Sequence, residues 1–226
     1  LYPAGHPYSW QTIGSMADLD AATLDDVKTW FKSWYGPNNA VLVLAGDIDV
    51  ATAKEKVTRY FGDIPASATL ADMKTNIPRR AQDTRETVPD RVPQVRIYRA
   101  WPVAELGSKD ATLLDMYAQV LGGSASSRLD SRLVHGGKLA DQVSAYSWSS
   151  EISGTFFVTA TVKEGVDPAR VEKILDEEIQ RLINEGPTAQ EVEQARTVTR
   201  AGFVRGIGRI GGFGGKSAVV ASCPAD

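Results

Sequence analysis

The sequence has 226 residues, 42% hydrophobic and 23% charged, and its 25 Lys+Arg against 28 Asp+Glu leave a formal charge of −3. These proportions exclude a disordered or collagen-like chain, and the near-neutral acidic balance argues against nucleic acid as the main partner. The longest apolar run, residues 40–45, falls far short of the ~20 residues that a membrane span needs.

In chain order, the first predicted helix starts behind Thr23, an N-cap residue followed by Asp25 and Asp26 in the first turn. Leu24, Val27, Phe31, Trp34 and Tyr35 recur on one helical face until Gly36-Pro37 stops the helix. Residues 40–45 are continuously apolar and predict a strand buried on both faces. Asp49 then caps a helix through Phe61, with Ala53, Val57 and Tyr60 turned inward. Residues 65–93 hold four prolines and a charged RRAQDTRE stretch without periodicity, which predicts an extended linker.

Beyond the linker the pattern restarts. Val95, Ile97 and Trp101 alternate as a strand, and a helix over 108–121 places Leu113, Leu114, Tyr117, Val120 and Leu121 on one face. A short helix covers 127–133 and stops at Gly136-Gly137. Segments 141–150 and 154–162 predict antiparallel strands, the second with Phe156, Val158, Ala160 and Val162 inward. Asp167 and Pro168 open a helix whose Val171, Ile174, Leu175, Ile179, Leu182 and Ile183 face the sheet, and Thr188-x-x-Glu191 forms a capping box for the next helix. The expected class is α+β: two similar α/β sandwich halves, each an antiparallel or mixed sheet with helices on one face, and both incomplete. Their expected limits are 1–77 for the first half, 78–93 for the linker and 94–226 for the second half.

Chemistry-bearing residues are sparse. The two histidines, His6 and His135, lie in no H-x-x-x-H, H-x-x-E-H or H-E-x-x-H pattern, and the single Cys223 offers no pair. No metal site is therefore expected within these residues. The run Gly206-Ile207-Gly208-Arg209-Ile210-Gly211 matches G-x-G-x-x-G, but a helical segment precedes it where a dinucleotide turn needs a strand. Arg196, Arg200, Arg205, Arg209 and Lys216 make the tail locally basic without interleaved aromatics, which predicts a solvated face or a chamber wall. Trp34 and Trp101 fall on predicted inward faces, whereas Trp30 lies off its helix's main face and marks a candidate interface. The opening LYPAGHPYSW has neither an initiator Met nor a signal-peptide pattern. The expectation is a piece of a longer protein.

Several blocks carry a resemblance. GHPY (5–8), the stretch IGSMADLDAATLDDVKTWFKSWYGPNNAVLVLAGDID (13–49), RYFGDIP (59–65), LGGSASSRLDSRL (121–133) and GRIGGFGGKS (208–217) together resemble the insulinase/pitrilysin family of zinc metallopeptidases, which includes the mitochondrial processing peptidase. In that family zinc is held by an inverted H-x-x-E-H motif plus a downstream Glu, and the motif's own Glu serves as general base. All of these lie upstream of the HPY block, so the resemblance transfers no zinc ligand and no catalytic residue to this chain. His6 matches the HPY histidine, whose implied role is to pin a loop.

Active members also supply an Arg and a Tyr, seven residues apart after SRL, that grip the substrate. Aligned on Ser127-Arg128-Leu129, those positions fall on Val134 and Asp141. A valine cannot hydrogen-bond a carbonyl, and a carboxylate opposes a developing oxyanion. The resemblance thus implies part of a zinc endopeptidase subunit that does not hydrolyse by itself, with zinc expected in the full-length parent if that parent is active. The alternative is a non-catalytic relative acting in assembly or peptide binding. The implied partners are a peptide substrate and a homologous subunit or second copy. The implied compartment is the bacterial periplasm or envelope, or else the mitochondrial matrix.

Overall fold

A computed structural model describes residues 1–68, 73–212 and 214–222. Cys223 lies outside the described residues. In chain order the elements are α1 (Met16–Ala21), α2 (Leu24–Trp34), α3 (Val50–Phe61), β1 (Arg96–Val103), α4 (Lys109–Gly122), a π-helical turn (Asp130–Gly136), β2 (Ala140–Trp148), β3 (Gly154–Val162), α5 (Pro168–Glu185), α6 (Ala189–Ile207) and α7 (Lys216–Ala221). The fold class is α+β, as expected. The chain divides into two compact units, one of Leu1–Ser9 with Met73–Thr197 and the other of Trp10–Asp72 with Val198–Asp226.

The first unit is built on a three-stranded antiparallel sheet in the order β1-β3-β2. Alternation on β3 is as predicted: Phe156, Val158, Ala160 and Val162 are buried, while Phe157, Thr159 and Thr161 are half-buried on the opposite face. Against the buried face pack Ala118 and Leu121 of α4, Leu129 and Leu133 around the π-helical turn, and Val171, Leu175 and Leu182 of α5. Gly122 lets α4 end against β2, because a Cβ there would lie 2.7 Å from the Ala145 nitrogen. Helix α5 starts behind Asp167, whose carboxylate accepts from the Ala169 N–H, and ends at Gly186 with φ 72°.

Four side chains predicted inward in this unit, Val95, Trp101, Leu113 and Ile183, are not. Ile183 is 62% and Leu113 55% exposed; Ile183 lies about 100° round its helix from Leu182, off the buried stripe that Val171, Leu175 and Leu182 define. Trp101 is 38% exposed and meets Phe156 only at a ring separation of 6.2 Å.

Residues 78–93 hold no helix or strand, yet this part of the chain is tied down. The Asn76 N–H donates to the Ile152 carbonyl at 2.9 Å, Arg80 reaches the Leu1 carbonyl at 3.3 Å, and Arg85 makes a two-pronged bond to Glu172 of α5 at 2.7 Å on each prong.

In the second unit the helices form where local signals place them. The Thr23 hydroxyl accepts from the Asp26 N–H while the Asp26 carboxylate accepts from the Thr23 N–H, a complete capping box for α2. Asp49 caps α3 through the Thr52 N–H at 2.9 Å. The intervening strand does not form. Residues 40–45 carry no ladder, and Val41, Leu42 and Leu44 are 71%, 55% and 51% exposed. A strand exists only by exchanging backbone hydrogen bonds with a neighbour, and the strands of the described residues all belong to the first unit's sheet. The helical faces are uncovered as well: Leu24, Val27, Phe31 and Trp34 of α2 and Tyr60 of α3 are exposed, with Ala53 and Val57 half-buried.

Candidate functional site

The positions singled out by the SRL alignment lie where backbone irregularity concentrates. Residues 130–136 form a π-helical turn, closed by the Gly137 N–H donating to the Arg132 carbonyl at 2.9 Å. Lys138 follows with φ 50°, a left-handed conformation that non-glycine residues seldom adopt. The register of β2 against β3 then slips between Ala140 and Gln142, so Asp141 is the extra residue of a β-bulge. Three departures from regular geometry within a dozen residues mark a segment whose side chains are re-aimed.

Val134 and Asp141 are sent to different environments. Val134 is half-buried and packs against the hydrophobic core. Asp141 is exposed, and its Oδ2 accepts a hydrogen bond from the Gln94 side-chain amide. His135 is 65% exposed on the same turn, with Nε2 2.9 Å from Asp130 Oδ1.

A charged framework holds this segment. Arg128, only 8% exposed along its side chain, donates from Nε to Glu191 Oε1 at 2.6 Å and from Nη2 to Glu191 Oε2 at 2.8 Å and the Gly186 carbonyl at 3.0 Å. This bidentate bond, reinforced by the Thr188 N–H and hydroxyl, holds the Glu191 carboxyl at about 2, although burial pushes the other way. One turn on, Arg132 donates to Glu178 at 2.9 Å and reaches Glu177 at 3.0 Å. Glu178 is 1% exposed and sits within α5's apolar stripe.

Sequence reading did not single out Arg128, Arg132 or Glu178 as a framework. The signals were present: SRL recurs at a four-residue spacing, which puts both arginines on one helical face, and a lone Glu interrupts the Leu175–Leu182 stripe.

His6 forms a second, separate anchor. It is 4% exposed; its Nδ1 accepts from the Tyr8 N–H at 3.0 Å, so Nε2 carries the hydrogen and donates to the Asn76 carbonyl at 2.8 Å. Tyr2 stacks on its ring at 4.6 Å and places its hydroxyl 3.0 Å from Thr155 Oγ1. His6 therefore pins the GHPY loop and has no nitrogen free for a metal.

His135 offers one nitrogen beside one carboxylate, and among the described residues no three His, Cys, Asp or Glu side chains converge on a possible metal position. These donors do not fit a zinc ion, which needs three or four converging ligands.

The glycine run is not a nucleotide turn. Helix α6 continues through Gly206 to Ile207, so a helix enters the glycines where a strand would be required. Trp34, expected inside, is 48% exposed, and Trp30 is 49% exposed beside Phe31 and Tyr35.

A family model described as the peptidase M16 inactive domain matches residues 21–199. The chain belongs to that family. It is similar to the zinc protease PqqE of Helicobacter pylori, 25% identical over 205 residues that cover 89% of this chain and 46% of the relative. Its fold is similar to a peptidase M16 inactive domain from Pseudomonas fluorescens, with TM-score 0.76 and 20% identity over 87% of this chain and 47% of that one. It is also similar to a chain of Complex III2 from Candida albicans, with TM-score 0.71 and 16% identity over 96% of this chain and 52% of that one. The chain thus spans about half the length of these relatives. The insulinase/pitrilysin resemblance read from the GHPY and SRL blocks is borne out.

Proposed function

We propose that this chain is the non-catalytic portion of a zinc-peptidase-type subunit, active only when a complementary zinc-bearing portion covers its second unit. One observation carries the reading. An apolar, strand-forming segment at 40–45 lies unpaired between two helices whose apolar faces are also uncovered. Exposed apolar surface of that extent marks an interaction face, and an unpaired strand segment is satisfied by a neighbouring strand. The domain limits 1–77, 78–93 and 94–226 belong to this proposal, with 1–77 as the C-terminal part of a first peptidase-like half, 78–93 as a linker and 94–226 as the N-terminal part of a second. Zinc, general base and the substrate-gripping pair then come from elsewhere in the parent or from a homologous subunit, and the substrate is an extended peptide.

The test joins peptide hydrolysis to hydrogen exchange. The chain by itself is expected to hydrolyse nothing and to exchange the amides of 40–45 rapidly. Adding the parent's zinc-bearing portion is expected to protect those amides and to produce chelator-sensitive cleavage. Chelator-sensitive hydrolysis by the chain alone, or unchanged exchange at 40–45 in the active assembly, overturns the proposal. The likeness to a Complex III2 chain favours a second reading, assembly without catalysis. That reading predicts protection of 40–45 without any cleavage, and no H-x-x-E-H in the parent.

A further inference from the structure

The chain leaves the first unit after Ser9 and returns to it at Met73, and both ends of that excursion are held at one place. Two bridges join them. His6 makes the first: its Nδ1 accepts from the Tyr8 N–H at 3.0 Å on the outgoing side, and its Nε2 donates to the Asn76 carbonyl at 2.8 Å on the returning side. Ile152, in the connection between β2 and β3, makes the second. Its N–H donates to the Tyr8 hydroxyl at 3.3 Å, and its carbonyl accepts from the Asn76 N–H at 2.9 Å. Both His6 and Ile152 are buried, so water competes little for these bonds. The rings of Tyr2 and Tyr8 lie against the imidazole at 4.6 and 5.5 Å, and the Tyr2 hydroxyl reaches Thr155 of β3.

The two sides of this clasp differ in what they bury. The hydrophobic core is built from residues of the first unit, between Ala118 and Ala195. Helices α1, α2, α3 and α7 of the second unit hold no buried residue. Local opening starts where few apolar side chains are buried and stops where a cooperative core begins.

We propose that the clasp of His6 and Ile152 on Tyr8 and Asn76 is that stop: residues 10–72 open and reclose as a closed loop while the sheet of the first unit stays folded. Tying the ends together withholds from the opened segment the entropy that free ends would gain. It also keeps the opening from peeling Asn76 off Ile152 and running on into β3. A partner that rearranges residues 10–72 therefore leaves the sheet intact. The clasp is independent of the peptidase reading.

The test is native-state hydrogen exchange on the full chain, followed amide by amide as urea is raised. The amides of α2 and α3 are expected to exchange about 100-fold or more faster than those of β3 and α5. The Tyr8 and Asn76 amides are expected to exchange with the slow group, although they flank the fast segment. Exchange of Tyr8 and Asn76 together with α2 and α3, or a single step shared by both units, overturns the proposal. In His6→Ala the Asn76 N–H keeps its acceptor, the Ile152 carbonyl, so a purely local loss leaves its exchange unchanged. The clasp requires that amide to join the fast group while β3 and α5 keep their protection. An unchanged Asn76 amide in the variant likewise overturns the proposal, and the measurement on the parent chain stands whether or not the variant folds.

Discussion

Replacing Arg128 by Met keeps an apolar stem of similar length but removes both prongs of the bond to Glu191 and the bond to the Gly186 carbonyl. Losing one partner of a fully buried ion pair costs about 3–5 kcal/mol, whereas an exposed pair is worth about 0–1 kcal/mol. Arg128 is 8% and Glu191 26% exposed along their side chains, so the carboxylate can rehydrate in part once its partner is gone. The expected loss lies between those limits, at about 2–3 kcal/mol. Glu191→Gln keeps the capping-box geometry with Thr188 while removing the charge, and about 2–3 kcal/mol is expected there too, because it leaves the more buried arginine unpaired.

The pH dependence follows from the Glu191 carboxyl, held at about 2 in the fold against an ordinary 4.5. Because the folded value is depressed, the stabilisation is fully present above the unfolded value of 4.5 and is lost as pH falls towards about 2. Urea unfolding of the parent chain, both single variants and the double variant, at neutral pH and at points between those two values, measures both effects. A double-mutant coupling of about 1–3 kcal/mol at neutral pH is expected, shrinking across the acid window. A coupling below about 0.5 kcal/mol, or an unchanged gap between parent and Glu191→Gln through that window, refutes the reasoning.

His6→Ala leaves the Asn76 carbonyl and the Tyr8 N–H without their partner and opens space beneath Tyr2, so a loss of about 2–4 kcal/mol is expected, read by denaturant unfolding. Leu133→Ala empties a fully buried position between the π-helical turn and the sheet, at an expected cost of about 2–5 kcal/mol in the same assay. Arg85→Ala removes an exposed clamp on Glu172; stability should change by no more than about 1 kcal/mol, while tryptic cleavage at Arg79 and Arg80 accelerates because the segment is held at one point fewer.

Much of the fold was legible because helix ends are written locally. Thr23 with Asp26, Asp49, Ser108, Asp167 and Thr188 with Glu191 each engage backbone N–H groups within three residues, and the helices begin where those residues stand. The β3 alternation was legible for the same reason, since neighbouring side chains point to opposite faces whatever surrounds them. The family was also legible, because its motifs are contiguous words such as GHPY and SRL. Of the candidate site, the positions 134 and 141 were reached from sequence, but their surroundings were not. The π-helical turn, the left-handed Lys138 and the bulge at Asp141 lie where the chain passes from packing against α5 to pairing with β3, contacts made by residues far away in sequence.

What the sequence determined by itself is therefore what is settled within a few residues: the helix caps and the alternating faces of β3. Tertiary structure alone decided which apolar stripes find cover. Val158 and Leu175 are fully buried because β3 and α5 meet, while Val41, Leu42 and Phe31 are equally apolar and remain exposed. It also decided that Glu178 belongs in the core, since a carboxylate among leucines is tolerable only where Arg132 arrives from another element to bond it. Burial and strand pairing are properties of two surfaces, and a single stretch of sequence describes only one.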